Sequence, residues 1–442
     1  MEITIFGIFW IGLLLSSLFF NGRVMIFLLL LSCLFHATAI FIIAKKGITP
    51  TFVTEIFTIL RFSYHLDFRK LIAFRWIRIG LWMSFYFLVG VLTLPHIFRG
   101  ILIFSPGLGI DESFLIGGIP LNPDESSVIQ SVYFTIHFFT LCVLYQNNDK
   151  KSFFNIEKVL NWLIIIFLIL GFELYFETIN NVKLLSSILY SNIGYNLQSE
   201  STIFEKFRFC STFTEASYCG AFISASFWYT ISLNKGNSYS KLRIVLMFIL
   251  FLSLLLNLSS TGLVAFVFGA LIYSFRLDGS KIVIASIVIV GVFLILDYLD
   301  YWGYIDKLIL NKFSTDSGKA RTGADKFSWD ILIETYGLGA GLGTHRGSSF
   351  LLNILANVGL LGTYLLFNFF YQILFTLRKY SSNTEALKMF FYVLIIGQFV
   401  AIPDLNFQIL WFSLFIVLLD SNQSLKVGVL NTYKTEQYLS SK

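Results

Sequence analysis

The run Val159-Leu-Asn-Trp-Leu-Ile-Ile-Ile-Phe-Leu-Ile-Leu-Gly-Phe-Glu-Leu-Tyr-Phe176 holds a single charged residue, Glu173, and follows directly on Lys158. A helix that crosses a hydrocarbon core about 30 Å thick needs about 20 residues of this character. Working outward, eleven more stretches read the same way: 3–20, 24–43, 80–98, 127–146, 216–233, 243–257, 261–275, 281–299, 349–376, 388–403 and 405–420. The pair 243–257 and 261–275 is short and joined through Asn257-Leu-Ser-Ser-Thr-Gly262, a tight helical hairpin. The expectation is an all-α polytopic membrane protein with about 12 transmembrane helices, residues 1–442 forming one integral membrane domain.

Composition supports this. The 442 residues are 56% hydrophobic and only 13% charged, with a mean hydropathy of +0.76. Soluble domains carry about 25% charge, so this chain cannot cover a water-facing surface. Disordered, collagen-like and disulfide-scaffold classes are excluded by the same figures. A net charge of +6 spread over loops is no nucleic-acid signature. Cys33 and Cys142 lie inside apolar runs. Cys210 and Cys219 could pair outside the membrane or stay reduced, and reduced thiols are expected. Glu2 stands where a signal peptide would carry basic residues, so the first segment is expected to remain in the mature chain.

Basic residues set the orientation. With the N-terminus inside, most of the 32 Lys and Arg fall in inner loops and the tail. Both termini are therefore expected in the cytoplasm of a bacterial plasma membrane. Segment 54–78 reads as a cytoplasmic interfacial helix, because Arg61, His65 and Arg69 recur every four residues as one basic stripe. Polar material gathers outside, near 99–126, 177–215 and 300–348, with 177–215 and 300–348 as the expected catalytic loops. No repeat of fixed period appears, which counts against transporters built from two similar halves.

Chemistry-bearing residues concentrate on that outer face. Arg208, Arg321 and Arg346 sit there against the positive-inside bias. Guanidinium stays charged and grips phosphate oxygens through a planar fork. Three converging on one cavity would hold a diphosphate, whereas each paired to an acid such as Asp325 or Asp330 would be structural. The stretch Gly337-Leu-Gly-Ala-Gly-Leu-Gly-Thr-His-Arg-Gly-Ser-Ser349 delivers His345, Arg346 and Ser348 to the start of a long helix, where amides could cradle an anion. It matches neither a phosphate loop nor a dinucleotide fingerprint. His345 is either a solvated loop histidine or a general base. His36 and His137 fall in apolar spans and are expected to hydrogen-bond inside the bundle. Glu215, at the entry of the 216–233 span, suits a helix N-terminus or a site carboxylate. Glu173 is the other carboxylate flagged, near the outer end of its span. No metal-ligand spacing is present and no cofactor is expected.

Four blocks in order give the sequence a family likeness. They are Arg208 with Phe213-Thr-Glu-Ala-Ser-Tyr218; Ser259-Ser-Thr-Gly262; Arg321 ahead of Trp329; and Gly337-Leu-Gly-Ala-Gly-Leu-Gly343 running into Ser348-Ser-Phe-Leu-Leu-Asn-Ile-Leu-Ala-Asn-Val-Gly-Leu-Leu-Gly362. Together they resemble the O-antigen and exopolysaccharide polymerase (Wzy) and O-antigen ligase superfamily over roughly residues 200–365. The resemblance implies a GT-C-like glycosyltransferase bundle with large extracytoplasmic loops. It implies a metal-independent reaction that moves glycan from a polyprenyl diphosphate to a sugar hydroxyl on the outer face of the membrane. The substrates it implies are undecaprenyl-diphosphate-linked oligosaccharide repeat units in the lipid bilayer, the products O-antigen of lipopolysaccharide, capsule or exopolysaccharide. It leaves room for a chain-length regulator and a flippase as partners. By this likeness Arg208, Arg321 and Arg346 hold the diphosphate, His345 or Glu215 takes the acceptor proton, and Ser348, Gly343 and Tyr218 line the site. Where ligase-like members carry a His-Asn pair ahead of Gly359, this chain has Ser348-Ser349, with His345 three residues upstream. That departure favours polymerase over ligase. A flippase or transporter of lipid-linked oligosaccharide is the reading from a different class, disfavoured because the spans are nearly free of charge.

Overall fold

The computed structural model describes residues 1–43, 46–64, 66–106, 110–147, 155–192, 202–203, 206–233, 240–275, 316–377 and 384–420. The expected span 281–299, the 300–315 part of the outer loop, His65 and the C-terminal tail lie outside these residues.

The chain opens with β1 (Glu2–Ile3), α1 (Ile5–Ser17), α2 (Gly22–Ser32), β2 (Phe41–Ile43), β3 (Lys46–Ile48), α3 (Pro50–Ser63), α4 (Phe68–Ile72) and α5 (Arg75–Ile97). Then come β4 (Leu102–Ile103), α6 (Ile110–Leu115), β5 (Ile119–Pro120), α7 (Glu125–Asn147), α8 (Ile156–Asn180) and α9 (Ser186–Leu189). Beyond β6 (Thr202–Ile203) and β7 (Lys206–Phe207) follow α10 (Ala216–Ser232), α11 (Ser240–Asn257) and α12 (Ser260–Ser274). The last helices are α13 (Asp316–Glu334), α14 (Phe350–Leu377), α15 (Thr384–Ala401) and α16 (Gln408–Asp420).

Among the described residues, four helices are long and apolar enough to cross a membrane, at Arg75–Ile97, Ser127–Gln146, Ile156–Asn180 and Phe350–Leu374. Shorter apolar helices are α1, α2, α12 and α16. The fold is thus a helical bundle suited to a membrane. At its centre α10 is buried on every side from Ala216 to Thr230, and α12 packs against it through two glycines. A Cβ on Gly262 would stand 2.9 Å from Gly220 Cα. The Ser259-Ser-Thr-Gly262 block therefore serves packing: Ser259 caps Gly262 N–H and Ser224 Oγ donates to Gly262 O at 2.8 Å.

Two expectations near the N-terminus are corrected. The 24–43 span is helical only to Ser32. Its continuation, 33–40, is tied to other loops, with Ala37 N–H donating to Thr212 O and Thr38 Oγ to Leu189 O. It then enters a small antiparallel sheet of order β1-β2-β3.

Segment 54–78 is not one interfacial helix. Pro50 starts α3, whose buried face comprises Thr51, Phe52, Val53, Thr54, Glu55 and Thr58. Threonines can be buried here because their hydroxyls bond back along the helix, Thr54 to Pro50 O and Thr58 to Thr54 O. Arg61 donates to Ser17 O and Phe20 O at the end of α1, so α3 runs alongside α1 in the same direction. Asp67 then caps a separate short helix, α4. The four-residue spacing of Arg61, His65 and Arg69 spans a helix break.

Candidate functional site

The site is assembled at the end of the bundle where α10 and α14 begin. The fourth block builds its floor. Gly337, Gly339, Gly341 and Gly343 all take positive φ, between +78° and +106°. The loop lies along the start of α14, with Ala340 N–H donating to Ala356 O, Gly341 N–H to Asn357 O and Leu360 N–H to Gly337 O. The last bond is possible because α14 is interrupted at Gly359, φ +67°. An added Cβ on Gly339 would stand 2.6 Å from Gly359 N. Only glycines permit two backbones this close.

The amides that were candidates for an anion cradle are already used. Thr344 N–H and His345 N–H donate to Asn357 Oδ1, Arg346 N–H to Phe104 O, and Gly347 N–H to Asn353 Oδ1. Ser348 and Ser349 N–H both donate to Asp325 Oδ1 at 3.1 Å. A carboxylate occupies the place a phosphate would take at this helix N-terminus. Gly343 and Ser348 therefore contribute to holding the loop, Gly343 also through its carbonyl, which accepts Ser127 Oγ.

His345 is neither solvated nor positioned as a base. Its ring is buried, 2% exposed, between Phe104 and Ser328. Nδ1 accepts the Phe104 N–H at 3.1 Å, so the proton sits on Nε2, which meets Ser328 Oγ at 2.8 Å. Ser328 in turn donates to Ala324 O. Both nitrogens are committed, and burial lowers the pKa to about 3. His345 pins α13 to the loop.

Arg321, Asp325 and Ser328 fall on one face of α13, at helical spacing. Asp325 and Ser328 hold the 345–349 loop, so Arg321 faces the same side. Arg208 directly follows β7 and lies beside the α11–α12 turn, with Nη2 3.4 Å from Leu258 O and the next residue's N–H, Phe209, donating to Leu256 O. Burial lowers its pKa, and the nearby Arg321 charge acts in the same sense while Glu215 opposes it. Arg346 Nη2 lies 3.6 Å from Glu215 Oε1. Glu215 precedes α10 and also accepts Ser217 Oγ at 3.1 Å. Glu215 thus faces Arg346 and lies within electrostatic reach of Arg208, which in turn is within reach of Arg321. Among the described residues Arg321 makes no ion pair.

Tyr218 lies one turn below, 3% exposed, packed on His36 and Phe407 at ring separations of 5.1 and 4.8 Å. It lines the wall behind Glu215. His36 meets Thr214 Oγ1 at 3.0 Å. Glu173 is exposed on α8, while Glu177 is the buried carboxylate there, accepting the Leu185 and Ser186 amides. All four cysteines are free and buried.

Sequence reasoning missed Asp404, Asn353 and Glu55. Asp404 lies between α15 and α16, in electrostatic contact with Arg346 and Glu215, and burial raises its pKa. The signal was an acid after Pro403 between two apolar runs. Among the described residues no group of His, Cys, Asp and Glu could hold a metal ion. No family model and no curated protein matches this chain.

Proposed function

We propose that this chain is a polysaccharide polymerase of the Wzy type. It transfers glycan from one undecaprenyl diphosphate carrier to the non-reducing-end sugar hydroxyl of another lipid-linked repeat unit, at the outer face of a bacterial plasma membrane. The observation that carries the reading is the gathering of Arg208, Arg321 and Arg346 near Glu215, Arg346 facing its carboxylate and Arg208 within electrostatic reach of both Glu215 and Arg321. Neighbouring guanidinium groups such as Arg208 and Arg321 suit a multiply charged anion, whose charge would offset their mutual repulsion. A diphosphate is the multiply charged anion a membrane carrier brings there. Charge grows on it as the glycosidic bond breaks, and fixed cations in a water-poor site stabilise that charge most.

In this reading the bundle has twelve or more crossings. α3 counts as one of them, which places the N-terminus outside with the site and the C-terminus inside. The irregular 33–40 segment, which leads into β2 of the small sheet, bonds to Leu189 and Thr212 beside the site. The basic bias survives the change. Lys45 and Lys46 move outside, Arg23 moves inside, and Arg61, Arg69, Lys70, Arg75 and Arg78 stay inside.

The test is reconstitution of the purified protein with undecaprenyl-diphosphate-linked repeat units extracted from cells lacking its gene. Chain growth without other proteins supports polymerase activity, and none overturns it. One observation favours a second reading, a proton-coupled flippase: the wholly buried Glu55–His137 contact, two titratable side chains sharing a hydrogen bond inside the bundle. Movement of the same lipid-linked units across liposomes under a pH gradient, without chain growth, would decide for it.

A further inference from the structure

If the site binds two lipid-linked glycans, the acceptor hydroxyl must lose its proton, and the side chains first considered for that task are engaged. Both nitrogens of His345 are hydrogen-bonded within the protein. Glu215 has one oxygen facing Arg346 and the other accepting Ser217 Oγ.

The geometry points to Asp404 as the base that takes the proton of the acceptor sugar hydroxyl, an inference that rests on the polymerase reading. One side chain, Asn353, fixes Asp404 relative to the arginines. Its Oδ1 accepts the N–H of Gly347, next to Arg346, and its Nδ2 donates to the carbonyl of Pro403, next to Asp404, both at 2.8 Å. The turn is braced further by Gln398 Nε2 donating to Asp404 O and by Asn406 Nδ2 donating to Gln130 Oε1 at 2.6 Å. Gln130 in turn packs against Gly343. Asp404 Oδ1 accepts the Asn406 N–H at 2.8 Å, which orients the carboxylate and leaves Oδ2 without a partner among the described residues. The charged and titratable groups facing it are Arg346, Glu215 and His137. Glu215 takes up part of the positive field of Arg346, and burial keeps Asp404 more basic than an exposed aspartate.

The step balances without a further reactant. The acceptor O–H bond breaks and its proton moves to Asp404 Oδ2. The acceptor oxygen forms a bond to the anomeric carbon, and the bond from that carbon to the diphosphate oxygen breaks. The electron pair leaves on the diphosphate, beside the arginines, and Asp404 afterwards releases its proton to water.

The experiment measures chain growth against pH for wild type, D404N and D404E, using repeat units extracted from cells lacking the gene. Binding of undecaprenyl diphosphate is measured alongside. D404N keeps the acceptor for Asn406 N–H, so its fold and diphosphate binding should match wild type. General-base catalysis contributes about 10²–10⁴-fold, so kcat should fall by about that range while KM stays within a few-fold. The acid limb of the wild-type profile should vanish in D404N and persist, displaced, in D404E. A D404N enzyme within about threefold of wild-type kcat, with the acid limb unmoved, overturns the assignment of Asp404 alone. If D404N does not fold, an unmoved limb in D404E overturns it. Absence of chain growth by wild type overturns the polymerase reading and this inference together.

Discussion

His137 Nδ1 and Glu55 Oε1 lie 2.6 Å apart, with both side chains wholly buried where α3 crosses α7. The imidazole is stacked on Trp411 of α16, centroids 4.7 Å apart, and tilted against Phe52 at 5.1 Å. His137 Nε2 and Glu55 Oε2 have no partner of their own. The pair therefore joins α3 to α7 through one hydrogen bond, and the imidazole stack on Trp411 adds α16.

Removing one member strands the other. Glu55→Ala or His137→Ala should each destabilise the protein by about 3–5 kcal/mol, while a double replacement by Leu and Phe should cost much less than their sum. A double-mutant cycle on unfolding in detergent measures this. Additive losses would show that the two residues do not act as a pair.

The three arginines make a different prediction, since in the proposed function they hold the diphosphate. Arg208→Ala, Arg321→Ala and Arg346→Ala should each abolish long-chain polysaccharide while single-repeat lipid-linked units accumulate. Loss of one preorganised donor typically costs about 2.7–4 kcal/mol of barrier, or 10²–10³ in rate. Lysine at the same positions should recover part of the loss, because charge is kept but the fork is not. Gel profiles of polysaccharide from complemented cells read the outcome, and normal chain lengths in all three alanine variants would refute the diphosphate assignment.

For His345 the expected effect lies in stability. Its folded pKa of about 3 is far below the ordinary value near 6.5. Between those values the unfolded chain binds a proton that the folded chain does not, so stability falls as pH drops through that window, by at most about 1.4 kcal/mol per pH unit. Above about pH 6.5 the residue adds no slope. His345→Gln should remove this contribution, seen as a flatter Tm-against-pH curve than wild type between about pH 4 and 6.5. It should leave the pH profile of chain growth unchanged in shape. A kinetic limb near 6.5 that disappears in His345→Gln would return the base role to this side chain.

How much of this was legible in the sequence depends on what each residue's neighbours are. The apolar runs at 127–146, 159–176 and 349–376 became long helices because a lipid-facing helix needs only local apolarity. Arg208, Arg321 and Arg346 could be singled out because they fall in loops that the basic-residue bias assigns to the outside, where charge of that sign is unexpected. Segment 54–78 misled because Glu55 looks like surface charge until His137, far along the chain, is placed against it. The roles of Asn353 and Asn357 were hidden likewise. Asparagines in an apolar run carry no periodic signal, and their bonds are to loop amides that adopt their places only once the glycine-rich turn closes. Asp404 was passed over as a span boundary because the charges it faces, Glu215 and Arg346, lie far off in sequence, just ahead of α10 and α14.

The last prediction concerns that turn. A Cβ on Gly359 would stand 2.3 Å from Gly337 O and 2.5 Å from Leu338 O, and the residue has φ +67°. The neighbouring atoms are backbone, so they cannot swing aside as a side-chain end could. Gly359→Ala must then part the loop from α14 and break the Leu360 N–H bond to Gly337 O. Backbone at φ +67°, ψ −172° is open essentially to glycine alone and costs an alanine about 1–3 kcal/mol, and the clash and lost bond should raise the total above about 3. Gly12→Ala is the matched control, because nothing stands within 4 Å of its Cβ and it lies inside α1. That change should stabilise slightly, by about 0.5–1 kcal/mol, from helix propensity. Unfolding midpoints of the two variants in the same detergent compare them directly. A Gly359→Ala protein as stable as Gly12→Ala would mean the loop does not lie against α14, and the placement of Arg346 beside Glu215 would lose its support.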